Sequence, residues 1–159
     1  MQKKDVNFSE GNSRFNFRVA IYLENNGRIL LHKSPAFDFW NMPGGRVKMG
    51  ETTRQAIIRE IEEELELQID ELNLIHVGEN IFEWQGLTVQ ELLFVYYANI
   101  GEDDYPITKQ QDFLTKDCVD EINHWFKKEE IKTLTCKPSL IYDLGENTDK
   151  LTHSTIIDI

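Results

Sequence analysis

Cysteine is scarce: Cys118 and Cys136 are the two in 159 residues, far apart and outside any CxxC pair. That argues against a disulfide framework and against a thiolate zinc site, and makes reduced thiols the expected state. Basic residues are also in short supply, with 17 Lys and Arg against 28 Asp and Glu and a formal net charge of −11. Nonspecific nucleic-acid binding relies on basic surface to displace counterions, so no nucleic-acid partner is expected. Long apolar runs are missing as well. The longest, Leu92 to Ala98, is too short to span a bilayer, and the N-terminal MQKKDVNFSEGNSRF lacks the apolar core of a signal peptide. The expectation is a soluble, cytoplasmic protein with no membrane partner. No repeat, low-complexity tract or linker rich in Pro, Gly or Ser divides the chain. One domain over residues 1–159 is expected, with residues 1 to about 13 loosely ordered or adding a short edge strand.

What the chain does have is an acid-rich helix. Thr52, followed three residues later by Gln55, forms a capping box that predicts a helix running to about Leu65. At about 100° per residue, Ile58, Ile61 and Leu65 share one stripe, while Glu60, Glu63 and Glu64 centre on the opposite side. One face is expected to pack and the other to gather carboxylates. The gathering is unfavourable: Glu60 faces Glu63 and Glu64 at i,i+3 and i,i+4, and the acids crowd the negative end of the helix dipole. A solvated acidic face is the ordinary reading of such a run. A bound cation would offset both penalties, and three carboxylates suit Mg²⁺ or Mn²⁺, hard ions that accompany phosphate substrates.

The run has company. Gly45, five residues, Glu51, seven residues, then Arg59-Glu60-Ile61-x-Glu63-Glu64-x-Glu66-Leu67 closely resembles the Nudix box of the MutT/Nudix hydrolases. Every fixed position matches except the last Gly, which is Glu66 here. Trp40, Pro43, Gly44 and Gly45 resemble the Trp-x-x-Pro-Gly-Gly lead-in common in that family. The resemblance implies a Nudix fold, an α/β (α+β) sandwich with a mixed β-sheet between helices. It further implies Mg²⁺ or Mn²⁺ held by Glu60, Glu63, Glu64 and the Gly44 carbonyl, with Glu60 the first choice to orient or deprotonate water. Arg59 is expected to pair with Glu51 and tie helix to loop, with Gly45 and Glu51 as structural box positions.

The implied reaction is metal-dependent hydrolysis of a nucleoside diphosphate linked to another moiety X, giving a nucleoside monophosphate and X phosphate. The partner is then a small-molecule nucleoside diphosphate derivative. The competing class is a non-catalytic Nudix module that binds a nucleotide or sugar metabolite as a sensor, which retention of the box acids disfavours. The oligomeric state is open, a homodimer being compatible with the sequence. At Glu66 a non-Gly residue would pay roughly 1 kcal/mol or more for a left-handed conformation, so a helix end displaced by a residue or two is expected.

Around the box, Phe15 to Leu23 and Arg28 to Lys33 read as a hairpin across Glu24–Gly27, and Leu74 to Trp84 and Leu87 to Asn99 as another across Gln85-Gly86. Arg18 is either an exposed strand charge or a pocket group, and Glu91 either an extra carboxylate for the site or a solvated glutamate. Phe39 and Trp40 either stack on a base or cover the core, and core cover is favoured. Glu102, Asp103 and Asp104 read as an acidic turn, Pro106 to Glu121 gives no element, and Trp125-Phe126 suggests a short strand ahead of a polar link over Lys127 to Glu130. A last helix is expected from Lys137-Pro138 to a stop at Gly145, with Ser139 and Leu140 following the proline where readers of oxidised guanine would carry Asn. His153 is expected to be structural or exposed.

Overall fold

A computed structural model describes residues 1–101, 105–118 and 120–159. The chain begins with a short strand β1 (Asn7–Glu10), so the N-terminal segment adds an edge strand. Long β2 (Ser13–Asn25) turns at Asn26 and Gly27, φ 48° and 76°, into β3 (Arg28–Lys33). Two successive positive φ values are what a tight two-residue hairpin needs, and Asn-Gly supplies them with least strain. Three residues, Gly44–Arg46, form β4, and α1 spans Thr53–Leu65. A second hairpin follows, β5 (Asn73–Trp84) and β6 (Leu87–Asn99), turning at Gln85 and Gly86.

The remainder carries more structure than its pattern suggests. A 3₁₀ turn at Pro106–Lys109 and the strand β7 (Asp112–Leu114) occupy the stretch without a predicted element. The strand at Trp125-Phe126 extends to β8 (Ile122–Lys127), and the polar link becomes a single helical turn, α2 (Lys128–Ile131). The last helix, α3, is shorter than expected at Ile141–Leu144, ending at Gly145. A final strand, β9 (Thr152–Asp158), was not anticipated. The acidic turn at Glu102, Asp103 and Asp104 lies outside the described residues.

One mixed sheet runs β7-β8-β3-β2-β6-β5-β9, with β1 and β4 also paired to β2. Pairing is antiparallel except for β2 with β6 and β5 with β9. Successive strand residues face opposite sides. Val19, Ile21 and Leu23 therefore join one core with Ile57, Ile61 and Leu65 of α1, and Ala20 and Tyr22 join a second with Ile131, Ile141 and Leu144. The sheet thus lies between helices, the second layer among the described residues being the two short turns α2 and α3.

The strand feature that matters for the site is a parting. β2 and β3 remain paired only through Glu24 and Asn25, after which β3 diverges and β4 takes its place beside Arg18, Val19 and Ala20. Gly44 makes this possible, since a Cβ there would lie 2.1 Å from the Val19 carbonyl oxygen. The lead-in to α1 is thereby seated on the sheet. Among the described residues, no helix is long and apolar enough to cross a membrane.

Candidate active site

The capping box at Thr52 is formed: the Gln55 N–H donates to Thr52 Oγ1 at 3.1 Å and the Thr52 N–H to Gln55 Oε1 at 2.9 Å. This fixes where α1 begins and hence where its glutamates point. The expected division of its faces is only partly right. Ile57, rather than Ile58, is fully buried beside Ile61 and Leu65, and Glu60 and Glu64 are buried with them, 9 % and 8 % exposed. Glu63 alone of the three acids is on the open side, its side chain 45 % exposed. The flank of the helix bearing Glu60 and Glu64 tips down onto β2 and β4 instead of facing water.

Arg59 organises this flank. Its Nε and Nη2 donate to the two oxygens of Glu51 at 2.7 and 3.0 Å, Nη1 donates to Glu60 at 2.7 Å and to Glu63 at 3.3 Å, and Nη2 also reaches the Arg46 carbonyl at 3.0 Å. Glu51 accepts a further bond from the Lys48 N–H at 2.9 Å. The bidentate fork on Glu51 has the geometry in which guanidinium and carboxylate match best. Bonding to Arg59 holds the Glu51 carboxyl below the usual carboxylate range. The pair joins the loop before α1 to the middle of the helix.

Glu60 and Glu64 are shifted the other way. Burial raises Glu60, with Arg59 opposing, and burial pushes Glu64 up to about 9, with repulsion from Glu60, Asp117 and Glu121 adding to it. Asp117 and Glu121 were not singled out in the sequence. They sit in the loop between β7 and β8, which the Lys116 N–H ties to the Glu64 carbonyl at 3.0 Å. Acids in a stretch with no regular pattern carry no positional signal. Burial likewise raises Glu121.

The cleft beside this flank has a volume of about 610 Å³ and is reached by Glu60, Glu64, Gly44, Gly45, Arg18 and Glu91. Arg18 and Glu91 are therefore pocket groups, joined at 3.5 Å, and Glu91 is buried, not solvated. Phe39 lines the cleft with Phe37 and Trp84. Trp40 does not line it. It packs edge-on against Phe126, ring centroids 4.8 Å apart, with Lys33 over its face, and covers the core as favoured. His153 is exposed and bonded to Glu79 at 2.7 Å.

The donor set fits a hard divalent cation. A Cβ at Gly45 would lie 2.3 Å from the Glu60 carboxyl carbon, so the absence of a side chain there is what lets the carboxylate lie against the backbone next to Gly44. Glu64, raised first by burial and further by its acidic neighbours, would be helped to ionise near neutrality by a positive charge. Among the described residues, no three acid, His or Cys side chains already form a cage.

Helix α1 ends at Leu65 as it would with glycine beyond it. Glu66 itself adopts the left-handed conformation, φ 54° and ψ 35°, its N–H bonding the Glu62 carbonyl at 3.1 Å and the Leu67 N–H bonding that of Ile61 at 3.3 Å. The expected displacement of the helix end does not occur. Burial of Leu67 and Ile69 in the core holds the exit path in place despite the strain.

Comparison with known proteins identifies the family. The NUDIX domain family matches residues 14–143. The CTP pyrophosphohydrolase of Escherichia coli (strain K12) is 41 % identical over 54 residues, covering 31 % of this chain and 40 % of that protein. The 8-oxo-dGTP diphosphatase of Proteus vulgaris is 30 % identical over 67 residues, covering 42 % and 60 %. The chain spans 29 % to 60 % of the length of the curated relatives it matches. The MutT protein of Bacillus halodurans shares the fold with a TM-score of 0.69 at 18 % identity, over 89 % of each chain. The chain belongs to the Nudix hydrolase family.

Proposed function

We propose that the protein hydrolyses the diphosphate linkage of a nucleoside diphosphate joined to another moiety X, using Mg²⁺ or Mn²⁺, and releases a nucleoside monophosphate and X phosphate. The observation that carries this reading is the convergence on one cleft of buried Glu60 and Glu64 with Gly44, Gly45 and Arg18. The named relatives are consistent with it: a nucleoside triphosphate, as in CTP pyrophosphohydrolase, is a nucleoside diphosphate whose X is phosphate. A cytoplasmic nucleotide pool is the setting this reading implies.

Glu60, Glu63, Glu64 and the Gly44 carbonyl are the groups that would hold the cation. When bound, it would supply positive charge to the phosphoryl oxygens and lower the pKa of a coordinated water. The chain's own residues do the positioning. Glu60, raised by burial and bonded by Arg59, is the group assigned in this reading to orient the attacking water and take its proton as the new P–O bond forms and the bridging P–O bond breaks. Arg59 fixes Glu60 and Glu51 together, so that the catalytic flank moves as one piece. Arg18, on the cleft side of β2, is a donor for the substrate's polar groups.

The test is a panel of nucleoside triphosphates, nucleotide sugars and dinucleoside polyphosphates with Mg²⁺ or Mn²⁺. Monophosphate release from at least one member, stopped by chelation, is expected. A silent panel from folded protein would replace this reading with that of a binding module.

A further inference from the structure

The cleft has a second polar feature, away from the box. Asn16 on β2 lies opposite Glu91 on β6, and Glu91 lies opposite Asn80 on β5. Residues paired across neighbouring strands share a face, so the three form one row on the cleft floor. Arg18 follows two residues along β2 and therefore points the same way.

The row is buried yet incomplete. Asn16, Glu91 and Asn80 are 8 %, 5 % and 2 % exposed, and the amide oxygens of both asparagines have no hydrogen-bond partner among the described residues. The orientation of Asn80 is set by chemistry: its Nδ2 donates to Glu91 Oε1 at 3.0 Å, and turning the amide over would place oxygen against oxygen. Its Oδ1 is therefore an acceptor. Arg18 occupies the other Glu91 oxygen at 3.5 Å. A buried carbonyl left without a donor is costly, so a donor entering the cleft would relieve that cost.

Above this row stands an aromatic wall. Phe37 and Phe39 stack with centroids 4.9 Å apart, Trp84 meets Phe37 edge-on at 4.8 Å, and all three line the cleft. A flat ring fits against such a wall, and its edge would then meet acceptors on the floor.

Resting on the nucleotide reading above, we propose that Asn80, held by Glu91, and Asn16, opposite Glu91 in the same row, select substrates whose base carries an exocyclic amino group. Cytosine, guanine and adenine each carry such a group. Uracil presents a carbonyl where cytosine has its amino group, and hypoxanthine lacks the 2-amino group of guanine. Meeting an acceptor with a carbonyl, or with nothing, leaves buried oxygens unpaired, and a site of this kind rejects that analogue.

Two matched comparisons test this: CMP against UMP and GMP against IMP, titrated with Mg²⁺ present and followed by NMR, alongside kcat/KM for the corresponding triphosphates. In at least one pair the amino-bearing member is expected to bind about tenfold or more tightly, the scale of one hydrogen bond. Asn80→Leu and, on a different strand, Asn16→Leu are each expected to shrink that ratio several-fold, with KM rising more than kcat falls. Equal binding within both pairs overturns the proposal and needs no variant to do so. A ratio that survives both substitutions while only stability changes also overturns it, because the amides would then merely hold internal water. The binding ratio is independent of turnover: preference without hydrolysis would sink the hydrolase reading and keep this one, and hydrolysis without preference would do the reverse.

Discussion

Arg59 grips Glu51 with two parallel bonds, Nε to Oε1 at 2.7 Å and Nη2 to Oε2 at 3.0 Å, while its remaining nitrogen holds Glu60. One guanidinium thus joins the loop before α1 to the acid proposed to handle the attacking water. Removing it leaves two largely buried carboxylates facing each other without a counter-charge. Arg59→Ala is expected to lower stability by about 3–5 kcal/mol in urea unfolding. Arg59→Lys, which keeps the charge and loses the fork, is expected to cost about 1–2 kcal/mol. An unchanged midpoint for Arg59→Ala would show that the pair is dispensable.

Neighbouring glycines should fail differently. At Gly44 an added Cβ meets the rigid backbone of Val19 at 2.1 Å, whereas at Gly45 it meets the Glu60 carboxyl at 2.3 Å, a side chain that can swing away. Gly44→Ala is expected to cost about 3 kcal/mol of stability through overpacking. Gly45→Ala is expected to stay folded and lose turnover by at least about tenfold, the rate equivalent of ~1.4 kcal/mol. Thermal melts and steady-state kinetics on the two variants would separate the effects; the opposite pattern would contradict the placement of Glu60.

Glu66 makes the reverse case. Its left-handed conformation strains a non-Gly residue, and its ion pair with Lys116, at 3.9 Å, is exposed and adds little. Glu66→Gly is expected to raise stability by about 0.5–1 kcal/mol, relief of strain exceeding the added freedom of the unfolded chain. A fall in melting temperature would mean that Glu66 makes a contact worth more than its strain.

His32 sets a pH dependence. Burial, with Arg18 adding, lowers it from 6.5 to about 4, and Glu121, 3.8 Å from Nδ1, does not reverse this. As pH falls below 6.5 the unfolded chain takes up the proton before the folded chain does. Stability contributed by neutral His32 is therefore full above 6.5 and lost progressively toward 4, by an amount on the order of 3 kcal/mol. The raised carboxyls of Glu60 and Glu64 act in the opposite sense, so the comparison must be with His32→Gln. The difference in unfolding free energy between wild type and His32→Gln should narrow from pH 7.5 to pH 5. A constant difference would mean that His32 is not held neutral.

The sequence made α1 readable to the residue because its start is chemical: Thr52 and Gln55 satisfy each other's donors whatever packs around them. The hairpins were readable for the same reason, Asn26-Gly27 and Gln85-Gly86 supplying the positive φ values. What was hidden depends on distant partners. β9 has an unremarkable pattern, THSTIID, and becomes a strand because β5 offers it a parallel edge. A helical wheel locates the acids of α1 but not the direction from which the sheet reaches them, so the burial of Glu60 and Glu64 is not legible from it. Asp117 and Glu121 arrive through a loop, and the unpartnered amides of Asn16 and Asn80 emerge only once three strands are in register.

The central claim is that the buried box acids carry the chemistry. Turnover of the best panel substrate with Mg²⁺ by wild type and by Glu64→Gln tests it most directly, with a thermal melt of each. The expected result is a fall of at least about 100-fold, equivalent to roughly 2.7 kcal/mol in the barrier, with melting unchanged or raised because a costly buried acid is gone. Wild-type turnover by folded Glu64→Gln would contradict the account.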